Sequence, residues 1–132
     1  MQACESKAVV IVEDDLSMNQ ALGRILRLGG FRTFSYASAE ALLAVPDADG
    51  ARDAKCLVVD VQLPGINGFD LRERLMAMMT LPPVIFMTAF DEPETRARAM
   101  RVGAFAFLTK PFSGKALLEA IGRCPEPAKS TS

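Results

Sequence analysis

Residues 56–68 read Cys-Leu-Val-Val-Asp-Val-Gln-Leu-Pro-Gly-Ile-Asn-Gly, and this stretch decides how the chain folds. The apolar residues 57–59 predict a short strand that is buried on both faces. Asp60 ends the strand, and the Pro-Gly and Asn-Gly pairs at 64–65 and 67–68 then turn the chain. A carboxylate at the end of a buried strand costs free energy unless other groups compensate its charge. The groups that compensate Asp60 should therefore be found elsewhere in the sequence.

Four further runs predict strands before and after this one, at residues 8–12, 31–36, 84–88 and 105–109. Residues 31–36 alternate apolar with polar side chains, which places their strand nearer an edge of the sheet. Apolar residues at helical spacing follow each strand and predict five helices. These helices are expected around residues 18–26, after the cap Ser38, over residues 68–79, from Pro93 to Gly103, and after the cap Ser113. The polar, turn-rich residues 46–55 predict a surface loop.

Helical spacing also predicts which side chains face the core. In the third helix the buried positions are Phe69, Leu71, Leu75 and Met79. In the fourth helix Ala97 and Met100 are expected to face inward, with Arg96, Arg98 and Arg101 facing outward. Asp15 directly precedes the first helix, so an interaction with the helix dipole is favoured over a place in a binding site.

Strands that alternate with helices predict one α/β fold. Each crossover between parallel strands is right-handed, so the helices cover both faces of a parallel sheet. We expect a single doubly wound, five-stranded sheet in the flavodoxin-like order 2-1-3-4-5 with five helices. The domain is expected over residues 7–123, followed by a mobile tail or the start of a linker at 124–132.

Composition narrows the class of protein. The chain has 132 residues, of which 50% are hydrophobic, enough for one domain with a core. Fifteen basic and sixteen acidic residues give a net charge of −1. This balance predicts that the chain does not bind nucleic acid or a membrane directly. The apolar runs are too short to span a bilayer, and the first residues lack the hydrophobic segment of a signal peptide. A cytoplasmic location is therefore expected.

Two residue types limit the chemistry further. The odd cysteine set Cys4, Cys56 and Cys124 has no metal-like spacing and is typical of free thiols in a reducing compartment. The chain contains no histidine, which excludes His-based triads and zinc sites with His ligands. A phosphohistidine that delivers phosphate to this chain would have to belong to a partner.

The strand ends carry a group of residues suited to phosphoryl transfer. In open α/β sheets the ligand site lies beyond the carboxyl ends of the strands, where this sequence places Glu13, Asp14, Asp60, Thr88 and Lys110. Three carboxylates in one place repel one another unless cations neutralise them. Lys110 and a bound Mg²⁺ or Mn²⁺ can supply the positive charge. Asp60 can then act as the nucleophile that accepts a phosphoryl group, while Thr88 and Lys110 stabilise the transferring oxygens.

Four ordered motifs resemble the receiver domain of two-component response regulators. They are Val-Glu-Asp at 12–14, Val-Val-Asp-Val-Gln-Leu-Pro-Gly-Ile-Asn-Gly at 58–68, Met-Thr-Ala at 87–89 and Thr-Lys-Pro-Phe at 109–112. The resemblance implies that Asp60 accepts phosphoryl from a sensor histidine kinase or a histidine phosphotransfer protein. It also implies a signalling protein rather than an enzyme, although such a domain catalyses its own phosphorylation and dephosphorylation with Mg²⁺.

The resemblance further implies how the site is built. Asp14 would bind the metal directly and Glu13 through water, and the backbone carbonyl of Gln62 would complete the protein ligands with Asp60. Glu13 departs from the family's usual Asp, but its longer side chain can still reach the ion through water. A cis peptide bond before Pro111 would aim the preceding lysine into the site.

A conformational switch is implied in the same way. Thr88 would move toward the phosphoryl group, and the ring of Phe107 would turn inward into the space left. The fourth helix, fifth strand and fifth helix would then contact an output domain, another protein, or a second copy in a phosphorylation-dependent homodimer. Gln62 and Phe90, two residues beyond the acceptor and the threonine, would flank the path of hydrolytic water. The apolar Phe90 is expected to shield the acyl phosphate and lengthen its lifetime.

Other protein classes fit less well. A pseudo-receiver, which binds partners without phosphorylation, is the main alternative, but it predicts a missing Asp, Thr or Lys, and none is missing. A haloacid-dehalogenase-type phosphatase needs a second Asp two residues after the first, where Gln62 stands. In a flavodoxin the acidic residues 13–15 would repel the phosphate of FMN. A P-loop motif is absent from the sequence.

Overall fold

Five β-strands alternate with five α-helices in residues 7–45, 51 and 53–125, the part of the chain that the computed structural model describes. In chain order the elements are β1 (Ala8–Val12), α1 (Leu16–Leu28), β2 (Arg32–Tyr36), α2 (Ala39–Ala44), β3 (Cys56–Asp60), α3 (Gly68–Met76), β4 (Val84–Thr88), α4 (Pro93–Arg101), β5 (Ala106–Thr109) and α5 (Gly114–Gly122). β2 and β5 begin one residue later than predicted, and β3 begins one residue earlier. Among the described residues, no helix has the length and apolar character required to cross a bilayer.

The strands form one parallel sheet in the order β2-β1-β3-β4-β5. This confirms the predicted doubly wound α/β fold. Every residue of β1, β3 and β4 is buried, as expected for parallel strands that are covered on both faces. β2 lies at an edge with part of its surface exposed, which confirms the prediction from its alternating pattern.

Two apolar cores cover the two faces of the sheet, because successive side chains of a strand point to opposite sides. Val10, Leu57 and Phe86 pack on one face with apolar residues of α2, α3 and α4. Ile11 and Val58 pack on the other face with apolar residues of α1 and α5. The sheet is therefore held from both sides, and its strand ends keep a defined spacing.

Side-chain caps begin four of the helices. The carboxylate of Asp15 accepts a hydrogen bond from the backbone nitrogen of Met18 at 2.9 Å, at the start of α1. Ser38, Asn67 and Ser113 accept equivalent bonds at the start of α2, α3 and α5. The predicted caps Ser38 and Ser113 are confirmed, and Asp15 lies at a helix N-terminus as predicted.

The third helix is shorter than predicted, while its buried face is correct. α3 ends at Met76, three residues before the predicted end at Met79. Met79 is nevertheless buried beyond the helix, and the other predicted core positions of this segment are buried as well: Phe69, Leu71 and Leu75. Burial of an apolar side chain thus continues past the last helical turn.

The predicted inner face of the fourth helix is wrong. Ala99 is the buried residue of α4, whereas Ala97 is exposed and Met100 is 66% exposed. Arg98 takes an inner position instead, with its guanidinium carbon 4.8 Å from the centroid of the Phe69 ring. An arginine that stacks on a ring competes with aliphatic residues for the inner face, and helical spacing alone does not reveal such stacking.

The predicted surface loop at 46–55 is wrong at its C-terminal end. Ala51, Ala54 and Lys55 are buried, and Lys55 Nζ donates to the backbone carbonyl of Cys124 at 3.0 Å. This hydrogen bond ties the segment before β3 to the end of α5. Asp53 of the predicted loop and Pro125 of the predicted tail are exposed. The other predicted positions of the loop, of the tail and of the cysteine set lie outside the described residues: 46–50, 52, 126–132 and Cys4.

Candidate functional site

The carboxyl ends of four strands bring the predicted site residues together at one edge of the sheet. Glu13 follows β1, Asp60 ends β3, Thr88 ends β4 and Lys110 follows β5. β3 pairs with both β1 and β4, so Asp60 lies at the centre of this edge. Glu13, Asp60 and Thr88 are buried, while Asp14 is exposed beside them. One side of the site therefore opens to solvent.

Lys110 joins the two buried carboxylates. Its Nζ donates to Glu13 Oε1 at 2.6 Å and to Asp60 Oδ2 at 3.0 Å. The Lys110 side chain is 19% exposed, against 1% for Glu13 and 6% for Asp60. The backbone nitrogen of Lys110 also donates to the Thr88 carbonyl at 2.7 Å, and the peptide bond that precedes Pro111 is cis. The charge of Asp60 thus has its compensating cation.

The pKa shifts follow from this arrangement. Burial raises the pKa of Glu13, and the neighbouring Asp60 raises it further, although the bonds from Lys110 and the Asp15 backbone act in the opposite direction. Burial lowers the pKa of Lys110, but hydrogen bonds to Glu13 and Asp60 outweigh this effect, so that its pKa is raised. The ammonium group therefore stays protonated at neutral pH and holds a fixed positive charge against the acidic pair.

The acidic residues fit a divalent cation. Glu13, Asp14 and Asp60 each offer a carboxylate oxygen, and these oxygens all lie within 4.8 Å of one another. Oxygen donors in such a group are the ligands that Mg²⁺ prefers. Both oxygens of Glu13 already accept hydrogen bonds, one from Lys110 and one from the Asp15 backbone at 3.1 Å. Glu13 is therefore better suited to contact an ion through water, and the exposed Asp14 is suited to direct coordination.

Gln62 links the Asp60 carboxylate to Thr88. Its backbone nitrogen donates to Asp60 Oδ1 at 2.9 Å, and its side-chain Oε1 accepts a bond from Thr88 Oγ1 at 2.6 Å. Thr88 Oγ1 in turn accepts from the backbone nitrogen of Phe90 at 2.9 Å. The hydroxyl proton of Thr88 is thus directed at Gln62, the nearer of its two acceptors, since the Phe90 carbonyl lies at 3.3 Å. The bond to Gln62 must break before the proton can serve another oxygen. Sequence reasoning missed this side-chain bond.

Two further residues support the site, and the sequence prediction missed both. The side-chain Nδ2 of Asn19 donates to the Glu13 carbonyl at 2.9 Å and to the Tyr36 carbonyl at 3.2 Å, which fixes the chain after β1. A Cβ on Gly68 would lie 2.5 Å from the Asp60 carbonyl oxygen, so α3 can begin this close to β3 only with glycine. The available sequence signals were Asn19 beside apolar residues of the first helix and the Asn-Gly pair at 67–68.

The two aromatic residues predicted for the switch and for shielding lie at the margin of the site. Phe107 on β5 is half-buried, with the guanidinium carbon of Arg96 at 4.8 Å from its ring centroid. The side chain of Phe90 is 59% exposed, and its backbone holds Thr88. A phenylalanine ring carries no hydrogen-bonding group, so any effect of these two rings on the site must come through packing or water access.

Comparison with known proteins assigns this geometry to a family. The sequence model described as "Response regulator receiver domain" matches residues 9–122. Among curated relatives, Nodulation protein W of Bradyrhizobium diazoefficiens is 38% identical over 119 residues, covering 88% of the chain and 50% of the relative. Response regulator protein FleR of Pseudomonas aeruginosa is 40% identical over 116 residues, covering 87% of the chain and 24% of the relative. The chain thus spans about half of one relative's length and a quarter of the other's.

Solved structures show the same fold. Chemotaxis protein CheY4 of Vibrio cholerae superposes with a TM-score of 0.79 at 27% identity, covering 92% of the chain and all of that structure. A CheY-like response regulator receiver domain protein of Methanospirillum hungatei superposes with a TM-score of 0.78 at 25% identity, covering 89% of the chain and 92% of that structure. Both agree with the observed strand order and helix arrangement.

Proposed function

The chain belongs to the response regulator receiver domain family of two-component systems, and from this premise we propose that Asp60 is the residue that accepts the phosphoryl group. The observation that carries the proposal is the position of Lys110 Nζ, which bonds Glu13 and Asp60 at once at the strand ends. The pseudo-receiver alternative has no support, because the acidic residues, Thr88 and Lys110 are all present and lie at the same edge of the sheet.

In the proposed reaction, an oxygen of Asp60 attacks the phosphorus of a phosphohistidine on the donor protein. The new O–P bond forms as the P–N bond breaks, and the histidine nitrogen leaves with the electron pair. Lys110 stabilises charge on the transferring oxygens, and Thr88 donates to one of them after it leaves Gln62 Oε1. The acidic residues Glu13, Asp14 and Asp60, with the Gln62 carbonyl, would hold Mg²⁺ or Mn²⁺. When bound, this ion supplies positive charge to the phosphoryl oxygens.

The proposal extends to the partners. The donor would be a sensor histidine kinase or a histidine phosphotransfer protein, because the chain has no histidine of its own. The output would pass through α4, β5 and α5 to a downstream domain or protein, or to a second copy in a phosphorylation-dependent homodimer. A cytoplasmic location is part of the proposal, and it is supported by the free thiols of Cys56 and Cys124. Residues 7–123 remain the proposed domain boundaries.

Intact mass spectrometry tests the acceptor. Wild-type protein is incubated with Mg²⁺ and acetyl phosphate, and one phosphoryl group should be added. Asp60→Asn should show no addition, whereas the matched control Asp70→Asn, on the half-exposed first turn of α3, should be phosphorylated as wild type is. No addition to wild type would favour the pseudo-receiver, and addition to Asp60→Asn would assign the acceptor to another residue.

The proposed switch follows from the bond between Thr88 and Gln62. A phosphoryl oxygen on Asp60 is a charged acceptor and competes for the Thr88 proton better than the neutral amide oxygen does. Thr88 would then move toward the phosphoryl group, and the ring of Phe107 would turn inward into the space left. The geometry supports this order of events because the hydroxyl is held by a hydrogen bond that can be exchanged.

We also propose that Phe90 shields the acyl phosphate from water, with Gln62 on the other side of the water path. The support is the large exposed side chain of Phe90, two residues beyond Thr88, whose backbone nitrogen donates to the Thr88 hydroxyl. Phe90→Glu should shorten the lifetime of phosphorylated protein, because a carboxylate can orient hydrolytic water, whereas Phe90→Leu should preserve it. Equal lifetimes of phosphorylated wild type and Phe90→Glu would contradict the shielding role.

A further inference from the structure

Two arginines of α4 stack on aromatic rings of neighbouring elements. The guanidinium carbon of Arg96 lies 4.8 Å from the ring centroid of Phe107 on β5, and that of Arg98 lies 4.8 Å from the ring centroid of Phe69 on α3. Apolar anchoring of α4 is weak, since Ala99 is its buried residue. The two cation–π contacts therefore add to the attachment of α4 to its neighbours.

A carboxylate fixes the orientation of Arg96. Its Nε donates to Asp91 Oδ1 at 3.1 Å and its Nη2 donates to Asp91 Oδ2 at 2.8 Å, so the guanidinium plane is held at two points. The hydrogen bonds from Arg96 and, to a lesser extent, from Thr109 lower the pKa of Asp91, so the carboxylate is ionised at neutral pH. Asp91 thus connects the β4–α4 loop to Arg96 of α4, whose guanidinium lies against the ring of Phe107.

We propose that Arg96 is a positioning residue that holds the ring of Phe107 in its half-buried position and so sets the energy of the switch. The proposal rests on the switching role of Phe107 given under the proposed function. The ring has no hydroxyl with which to hydrogen-bond at the surface, and the stacked guanidinium is the polar group that can retain it there. An inward turn of Phe107 must break the stack, whereas Asp91 can keep Arg96 in place after the ring has left.

Arg98 provides a matched control. It lies on the same helix, stacks at the same distance, and pairs with a carboxylate, Asp70, at 3.2 Å. Its ring, however, is Phe69, which is buried and packs edge-on against Phe86 at a centroid distance of 4.8 Å. Loss of either arginine should loosen α4, but only loss of Arg96 should change the preference of the Phe107 ring for its half-buried over its inward position.

The energy of the switch can be measured with beryllofluoride, which stands in for the phosphoryl group on an aspartate in the presence of Mg²⁺. Arg96→Met should bind beryllofluoride about threefold more tightly than wild type, because the inward state no longer competes with a cation–π contact. Arg96→Lys should be intermediate, since it keeps the charge and loses the planar stack. Arg98→Met should bind with wild-type affinity.

Fluorine NMR supplies a positional readout that loosened packing alone would not produce. In protein labelled with fluorophenylalanine, with Phe107→Leu used to assign the signal, the Phe107 resonance of ligand-free Arg96→Met should move toward its position in the beryllofluoride complex. The resonance in Arg98→Met should stay at the wild-type position. An unmoved resonance in Arg96→Met, or an equal movement in Arg98→Met, would overturn the proposal.

The two proposals can fail separately. If wild type is phosphorylated on Asp60 and binds beryllofluoride, while Arg96→Met binds it no more tightly, then Arg96 does not set the switch and the acceptor role stands. If wild type neither gains mass nor binds beryllofluoride, the acceptor role fails, and the proposal for Arg96 fails with it because the inward state is then not formed.

Discussion

The acidic edge of the sheet and the partly exposed contact between α3 and α4 both pair positive with negative side chains, yet they do so in different surroundings. At the edge, Lys110 meets Glu13 and Asp60, whose side chains are nearly inaccessible to solvent. On α4, Arg98 meets Asp70 with 40% and 47% of the two side chains exposed. Buried charges that lose a partner have no water to replace it, whereas exposed charges do. The edge is therefore suited to fixed chemistry, and the contact between α3 and α4 is suited to movement.

The largest effect should come from removing the shared cation. Lys110→Met leaves Glu13 and Asp60 as neighbouring buried carboxylates, so the free energy of unfolding should fall by about 3 kcal/mol, as measured by urea denaturation. The rate of phosphorylation by acetyl phosphate should fall at least about 100-fold, because the transferring oxygens lose a charged donor. Lys115→Met, at an exposed position of α5, is the control and should be near wild type in both measurements. A normal stability of Lys110→Met would contradict the account of the edge.

The second effect tests the backbone beneath the edge. A methyl group added in Gly68→Ala would press against the Asp60 carbonyl, which is backbone and cannot move aside, so we expect a loss of about 2 kcal/mol. Gly122→Ala, near the end of α5, is the matched control, because a Cβ there meets nothing within 4 Å. Alanine should be neutral or slightly stabilising at that position. Equal midpoints of urea denaturation for the two variants would show that the close approach of α3 to β3 is not required.

Metal binding should produce the third effect. Mg²⁺ at ten times its dissociation constant should stabilise the folded protein by about 1.4 kcal/mol, since it relieves repulsion within the acidic group. The increase in Tm should be lost or much reduced in Asp14→Asn. Glu119→Gln, an exposed acid of α5, should keep the full increase. If Asp14→Asn gains as much as wild type, the ion is not held by the residues proposed here.

The smallest effect is expected at the contact between α3 and α4. Asp70→Asn removes the ion pair with Arg98 and should cost about 0.5 kcal/mol at low salt, because the pair is exposed. At 1 M salt this difference from wild type should largely disappear through screening, while the difference between Lys110→Met and wild type should persist. Urea denaturation at the two salt concentrations makes the comparison. If the loss in free energy of unfolding of Asp70→Asn is the same at both salt concentrations, the two regions do not differ in how well solvent screens their charges.

The sequence predicted the fold well because its signals are local. Apolar runs, turn residues and the caps Ser38 and Ser113 each act within a few positions, and they placed the strands to within one residue. The acidic pair, Asp60, Thr88 and Lys110 could be identified because every strand in such a sheet ends at the same edge. The predicted end of α3 was wrong by three residues, because the buried Met79 continues the apolar spacing beyond the helix.

The failures of prediction concern side chains whose partners are distant in sequence. Helical spacing predicted the wrong inner face for α4, because a charged residue is expected to face solvent. Arg98 instead turns toward α3, where its guanidinium stacks on the ring of Phe69. Lys55 looked like a loop residue, but its ammonium group reaches the Cys124 carbonyl, 69 positions away. The pattern of polar and apolar residues does not indicate which acceptor or ring the long side chain of a lysine or arginine will reach.

The order of apolar runs and turns was thus enough to define the strands, the helices and the set of residues at the strand ends, because backbone hydrogen bonding and burial act on each run separately. The folded arrangement alone decided how those residues pair. Lys110 meets Glu13 across 97 positions, and Gln62 holds Thr88 across 26. Such contacts depend on differences of about an ångström in the spacing of packed strands, and no local pattern encodes that spacing.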